Sequence, residues 1–324
     1  MYNILQKYFS SLVFLTKILI IAGAYYVVSD RLLNDGNFNG ILWLERIDSM
    51  GGSSLTIIIL LFFFTLMNWS LEIFKWKTLV SSVAKISFTE AAKQSLASLT
   101  ASLLTPNRIG EYGAKAIYFK KNYRPKILVL NFLGNAYQMF ITLVFGLIGL
   151  SLIGDQFSLN SVSVSFLIGI MISFILFISL IVLLRKKWLD YLLKISNDLF
   201  KIPFQIHKKS TLYAIGRYLV FSHQFYLFLI FFGVDLDYSI AMPIIFSMYL
   251  ISSVIPGFVL FDWLVKGSVA VTLFHFFGVD EIVVLSITAS MWILNFALPA
   301  IIGSFYVLTF NSRTLVYGER KLVK

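Results

Sequence analysis

The chain contains no cysteine. That excludes disulfides, thiolate nucleophiles, Fe–S clusters and Cys-ligated zinc. Histidine is almost as scarce. His207, His223 and His275 lie far apart in sequence, so neither a His-based metal site nor a cofactor is expected. Charge is sparse as well: 13% of the 324 residues are charged, where a soluble domain carries about 25%. No remaining stretch is long and polar enough for a separate soluble domain. No Ser/His/Asp-type arrangement presents itself either, and no residue is assigned a catalytic role.

Apolar and aromatic residues fill the space. Hydrophobic residues make up 58% of the chain, with 32 Phe, 16 Tyr and 6 Trp, and the mean hydropathy is +0.84. Several long apolar blocks then indicate an all-α polytopic membrane protein, 1–324 forming one integral membrane domain. Six full spans are expected at about 10–29, 54–74, 127–153, 162–184, 211–232 and 282–309. The first is long enough to span and lacks a small-x-small cleavage pattern, so it is not expected to be a cleaved signal. Two further apolar stretches, 88–120 and 240–277, are each broken by a proline, Pro106 and Pro256. The arm after Pro106 is too short and too charged for a span of roughly 20 apolar residues. Both stretches are therefore expected to be re-entrant hairpins, their broken backbone facing protein or a watery cavity.

The charges orient this topology. Segments 1–9, 75–93, 120–126, 185–210 and 310–324 hold 20 Lys and Arg in total. Segments 30–53, 154–161, 233–239 and 278–281 hold 2 basic residues against 9 acidic ones. The bias places both termini in the cytoplasm of a plasma, or prokaryotic inner, membrane. It also accounts for the +11 net charge without nucleic acid as a partner. Charge counting cannot separate re-entrant hairpins from fully crossing ones, because both leave the same parity. The order span, span, hairpin, span occurs twice, in 1–153 and 154–324, at offsets of 150 to 157 residues. Three spans per half is odd, so the second half is expected upside down relative to the first. Inverted repeats with broken helices are a transporter architecture.

The hairpins carry charge in the same pattern. Glu111 and Lys115 follow Pro106, Asp262 and Lys266 follow Pro256, and each acid–base pair is spaced i, i+4. That spacing puts both groups on one helix face. A lone charge in hydrocarbon costs roughly 2.5–3.5 kcal/mol on insertion scales, so paired, cavity-facing placement is expected. The bland alternatives are that each pair neutralises itself, or that Lys115 and Lys266 snorkel to an interface. Arg108 has no counterpart in the second half, where Phe258 stands two after the proline. Its guanidinium suits a phosphate, which it can grip with two hydrogen bonds. The residues Pro106, Asn107, Arg108, Gly110, Glu111, Lys115, Pro256, Gly257, Asp262 and Lys266 form the candidate substrate-binding set. Gly110, Gly113 and Gly267 would let backbones approach closely.

The stretch "LLTPNRIGEYGAKAIYF" resembles the signature of the flippase-like transmembrane domain family named after lysylphosphatidylglycerol synthase. The later "IPGFVLFDWLVKGSVAVTLF", with "FGVD" and "LPAIIGSFYVL", is similar to that family's second motif. The second motif's usual acid and base look like Glu and Arg, and here they are Asp262 and Lys266. The resemblance implies a flippase-like transporter that moves a polar or charged phospholipid, or a lipid-linked head group, between leaflets. It further implies a stand-alone member, without the C-terminal aminoacyl-transfer domain of fused relatives. An intramembrane enzyme modifying a lipid head group, or a non-transporting membrane partner of one, stays open as an alternative. Membrane phospholipids are the expected partners, with a homo-oligomer or a separate lipid-modifying enzyme also open.

Other polar residues carry weaker expectations. Asn131, Asn135 and Gln138 form one stripe on the third span, and Ser286 and Ser290 occupy related positions on the sixth. Interhelical hydrogen bonding is the expected role, and lining a cavity the alternative. His223 is expected to make a structural hydrogen bond, with a proton relay as the alternative. Asn68 and Glu72 end the second expected span. Glu72 and Lys75 are expected at the interface, Arg217 and Lys17 as snorkellers. Segment 185–210 reads as a basic interfacial linker on anionic inner-leaflet lipids. Loop 30–53 has no functional reading.

The topology is testable directly. Asn107→Cys is expected to react with an impermeant thiol reagent from the cytoplasmic side, and Gly257→Cys from the outer side. Ready labelling of Asn107→Cys from outside would show that the first hairpin crosses fully.

Overall fold

The computed structural model describes residues 52–103, 105, 108–153, 202–254 and 262–310, together with Ile41, Leu44, Glu45, Asp48 and Ser49. The expected spans 10–29 and 162–184, the positions Lys17, Pro106, Asn107, Pro256 and Gly257, segment 185–201 and most of loop 30–53 lie outside them. The described residues are all-helical, without a strand. The elements are α1 (Gly52–Val80), α2 (Phe88–Leu103), α3 (Ile109–Ala116), α4 (Arg124–Ile153), α5 (Phe204–Phe231), α6 (Tyr238–Val254), α7 (Asp262–His275), α8 (Glu281–Trp292) and α9 (Leu298–Leu308). A π-helical segment, Ile293–Ala297, joins α8 to α9. Four helical stretches are long and apolar enough to cross a membrane: Leu55–Val80, Lys121–Ile153, Phe204–Phe231 and Glu281–Leu308. They coincide with four of the six expected spans, and they mark a membrane protein.

Two boundaries differ from expectation in ways that matter. α1 continues through "EIFKWKTLV" to Val80 rather than ending near residue 74, because no Pro or Gly interrupts the sequence. α5 begins at Phe204, so the last part of the expected interfacial linker is the first two turns of a span. Pro203 sits at its N-cap, where a missing N–H costs nothing, and nothing downstream breaks the helix. His207 Nδ1 meets the Tyr137 hydroxyl of α4, while Lys208 and Lys209 remain exposed.

Local signals set the other ends. Ser87 and Glu90 form a capping box at the start of α2: Glu90 N donates to Ser87 Oγ and Ser87 N donates to Glu90 Oε2. The pentapeptide "FFGVD" occurs twice and terminates both α5 and α7. In each copy the glycine, Gly233 or Gly278, takes φ +71°, the left-handed conformation that closes a helix C-terminus. Asp280 of the second copy then caps α8, its carboxylate accepting from Ile282 N and Val283 N.

The helices pack in reciprocal pairs. α1 lies along α5, α2 against α9, and α6 against α4. In both of the last two pairs a glycine permits close approach. A Cβ on Gly303 of α9 would strike Leu96 O and Thr100 Oγ1 of α2. A Cβ on Gly149 or Gly146 of α4 would strike Pro243 O, Phe246 and Leu250 of α6. The 150-residue offset between Pro106 and Pro256 carries Leu96 onto Phe246 and Thr100 onto Leu250. The largest buried cluster, including Phe225, Phe228, Ile244, Ile245, Phe274 and Ile287, joins α5, α6, α7 and α8. A second, around Trp76, Leu79, Phe119 and Leu130, joins α1, α2 and α4. Outward, Phe62, Phe63, Phe140, Ile301 and Phe305 are exposed, an apolar surface of the kind a bilayer covers.

Gly149→Ala should therefore overpack the α4–α6 contact and cost about 1–3 kcal/mol in thermal unfolding of the solubilised protein. Gly113→Ala, where a Cβ meets nothing within 4 Å, should be neutral or stabilising by about 0.5–1 kcal/mol.

Candidate functional site

The site begins on one face of α1. Thr65, Asn68, Glu72 and Lys75 recur at spacings of three and four, and all four are buried. In a helix this periodicity forms a single stripe. Glu72 Oε2 is the hub. It meets Lys75 Nζ at 2.7 Å and Arg217 Nη1 of α5 at 2.8 Å. Arg217 Nε also donates to Asn68 Oδ1 (2.9 Å). The chain of hydrogen bonds continues from Asn68 Nδ2 to Asn295 Oδ1 (2.7 Å), and from Asn295 Nδ2 to Gln224 Oε1 (2.9 Å). It closes back on α1, where Gln224 Nε2 donates to Leu61 O and Thr65 Oγ1. Asn295 belongs to the π-helical segment. Pro299, four residues on, has no N–H to give its carbonyl, and Trp69 Nε1 donates there instead (3.1 Å).

These contacts correct three expectations. Glu72 and Lys75 are buried inside the protein, and the Arg217 side chain turns to Glu72 and Asn68 rather than outward. Lys75 is 2% exposed, and the Arg217 side chain 16%. The physical reason is the extra length of α1, which leaves Glu72 and Lys75 short of the helix end. Burial then demands a partner for each charge. Gln224 and Asn295 were not legible as members, because single amides in apolar spans carry no periodic signal.

α3 supplies a second charged cluster. Lys115 Nζ meets Glu111 Oε1 at 2.7 Å and donates to Asn131 Oδ1 of α4 at 2.8 Å. Lys115 is 2% exposed and lies 4.4 Å from the centre of the Trp76 ring, so it too is turned inward. Trp76 Nε1 in turn donates to Gln94 Oε1 of α2. Gly110 fits tightly beside Ala101, its N–H donating to Thr105 Oγ1 (2.8 Å), which pins the turn entering α3. At that turn Arg108 has φ 57°, the positive φ of a left-handed residue and the only one outside glycine among the described residues. Such backbone costs of order 1–3 kcal/mol and persists where the surroundings impose it. Its guanidinium is half-buried, 5.0 Å from the Phe296 ring centre.

Lys266 of α7 approaches the same ring, at 5.5 Å, and the Tyr249 ring at 6.0 Å. Asp262 is the first residue of α7. Phe296 thus receives one cation from the turn entering α3 and one from α7. Glu72, Arg108, Glu111, Lys115, Arg217 and Lys266 line one cavity of about 760 Å³.

The polar stripe of α4 does both jobs considered for it. Asn131 accepts from Lys115, and Asn135 Nδ2 donates to the Tyr112 hydroxyl (3.2 Å). Asn135 and Gln138 also line the cavity. The remaining candidates lie elsewhere. Both ring nitrogens of His223 are occupied, Nδ1 by Leu219 O and Nε2 by the Tyr238 hydroxyl. Ser290 Oγ donates to Ser286 O, and neither serine lines the cavity. No group of three or more His, Asp or Glu among the described residues is arranged to hold a metal.

Comparison with known proteins adds no relative. No family model, curated protein or solved structure matches the chain.

Removing the hub carboxylate leaves two buried cations without it. Glu72→Leu should destabilise the solubilised protein by about 3–5 kcal/mol. Arg217→Leu added to it should recover part of that loss, and the double-mutant cycle should give a coupling above roughly 1 kcal/mol.

Proposed function

We propose that the protein is a flippase-like transporter that moves a phospholipid, or a lipid-linked polar head group, between leaflets. One observation carries the reading: α4 presents two adjacent stripes to a single cavity. Asn135, Gln138 and Thr142 line it, and so do Ala136, Met139 and Leu143, each one residue further on, together with Phe132. Neighbouring residues on a helix are about 100° apart, so a polar path runs directly beside an apolar one. Phe132, Met139 and Phe140 are exposed. A lipid needs this combination, with its head group among the charges of α1, α3 and α7 and its acyl chains along exposed hydrocarbon.

The packing supports the inverted-repeat reading. The hairpin arm α2 packs on the last helix of the second half, and its counterpart α6 packs on the last helix of the first. α1 and α5, the corresponding second spans, pack on each other. A pseudo-two-fold relation generates this set of partners, with the charged hairpin arms meeting at the centre. The resemblance to the flippase-like domain family points the same way. In this reading the hairpins are re-entrant, Arg108, Glu111, Lys115, Asp262 and Lys266 meet the head group, and both termini are cytoplasmic at the inner membrane.

Reconstitution of the protein alone in vesicles with a head-group-labelled lipid tests the proposal. Leaflet exchange should exceed that of empty vesicles. Glu111→Gln and Lys115→Met should each lower it by roughly tenfold or more, the scale of a lost charge-assisted hydrogen bond, at unchanged reconstitution yield. No exchange above empty vesicles, or a chemically altered head group, would overturn it.

A further inference from the structure

The charges around the cavity do not balance. Lys75 and Arg217 share one carboxylate, Glu72. Lys115 has Glu111, and Arg108, beside them, has no carboxylate partner among the described residues. Among the described residues this cluster sets four cations against two carboxylates, with Arg108, Lys115 and Arg217 in the cavity lining and Lys75 outside it. Lys266, on α7, lines the cavity as well. Uncompensated cations in a low-dielectric interior are costly, and an anion of matching charge relieves the cost.

Gln138 and Trp292 line the cavity, and both amide atoms of the first and Nε1 of the second are buried without a hydrogen-bond partner among the described residues. Buried polar atoms are rarely left so. Arg108 adds the planar fork that suits phosphate, and the tight turn at Gly110 stations it against Phe296.

We infer that the cavity selects a phosphate monoester, a group with about two negative charges near neutral pH, over phosphodiester zwitterions and cationic head groups. This rests on the lipid-transport reading for its source, since a lipid phosphate and free phosphate share the chemistry. A head group that carries a net positive charge would add to the imbalance. A zwitterion would leave it in place.

Trp69, Trp263 and Trp292 line the cavity and report its occupancy. The purified full chain is titrated by tryptophan fluorescence with short-chain phosphatidic acid, short-chain phosphatidylcholine, a lysyl-esterified phosphatidylglycerol and inorganic phosphate. Phosphatidic acid should bind at least roughly tenfold more tightly than phosphatidylcholine, as expected for one added charge-assisted contact. Arg108→Asn, which keeps a residue type that tolerates the left-handed backbone, should abolish most of that preference. Arg108→Lys should retain part of it. Equal affinity for phosphatidic acid and phosphatidylcholine, or tighter binding of the cationic lipid, would overturn the inference. Because the comparison is made on the wild type, it does not depend on either variant folding. The two readings fail separately. Tight binding of inorganic phosphate and phosphatidic acid without leaflet exchange of any lipid sinks the transport reading and leaves the anion site. Exchange of all head groups at equal rates keeps transport and sinks the selectivity.

Discussion

The arrangement depends on the carboxylate of Glu72, buried between α1 and α5 and held by Lys75 from its own helix and Arg217 from the other. In hydrocarbon, helices gain little from burying apolar surface against each other, since lipid tails are as apolar as Leu. What joins them specifically is close packing and polar contact. Here a polar stripe of α1 serves α5 through Arg217 and Gln224, and the π segment before α9 through Asn295. Three elements from both halves of the chain thus answer to one helix face.

The π segment gains its meaning from the same network. Wide turns of this kind occur inside α-helices, frequently at functional positions. In this chain the turn carries Asn295, which bridges Asn68 and Gln224, followed directly by Phe296. That ring lies near both Arg108 and Lys266. The structural network and the cavity are therefore adjacent layers of one feature, and a change in either is felt by the other.

Much of the fold was legible in the sequence, for definite reasons. Runs such as "SLTIIILLFFFTL" are long and apolar enough that only a helix can satisfy their backbone in a membrane. The Glu111–Lys115 contact followed from i, i+4 spacing alone, and the structure closes it at 2.7 Å. The stripe of Asn131, Asn135 and Gln138 was visible as a period, though its double use was not. The burial of Glu72, Lys75 and Arg217 was not legible, because the end of a hydrophobic run does not mark the end of a helix, which continues past its last apolar residue whenever nothing breaks it.

The sequence by itself determined the helices, their punctuation by "FFGVD", and the pairing of charges within one helix. All of these are consequences of local geometry, acting over four or five residues. Only the tertiary structure decided which helices meet, and so which distant groups compensate each other. Arg217 with Glu72, Lys115 with Asn131, and Arg108 with Lys266 around Phe296 are separated by tens to hundreds of residues. No local rule relates them. Their meeting follows from glycine-allowed approaches such as Gly149 on α6 and Gly303 on α2, and these set where each charged face points.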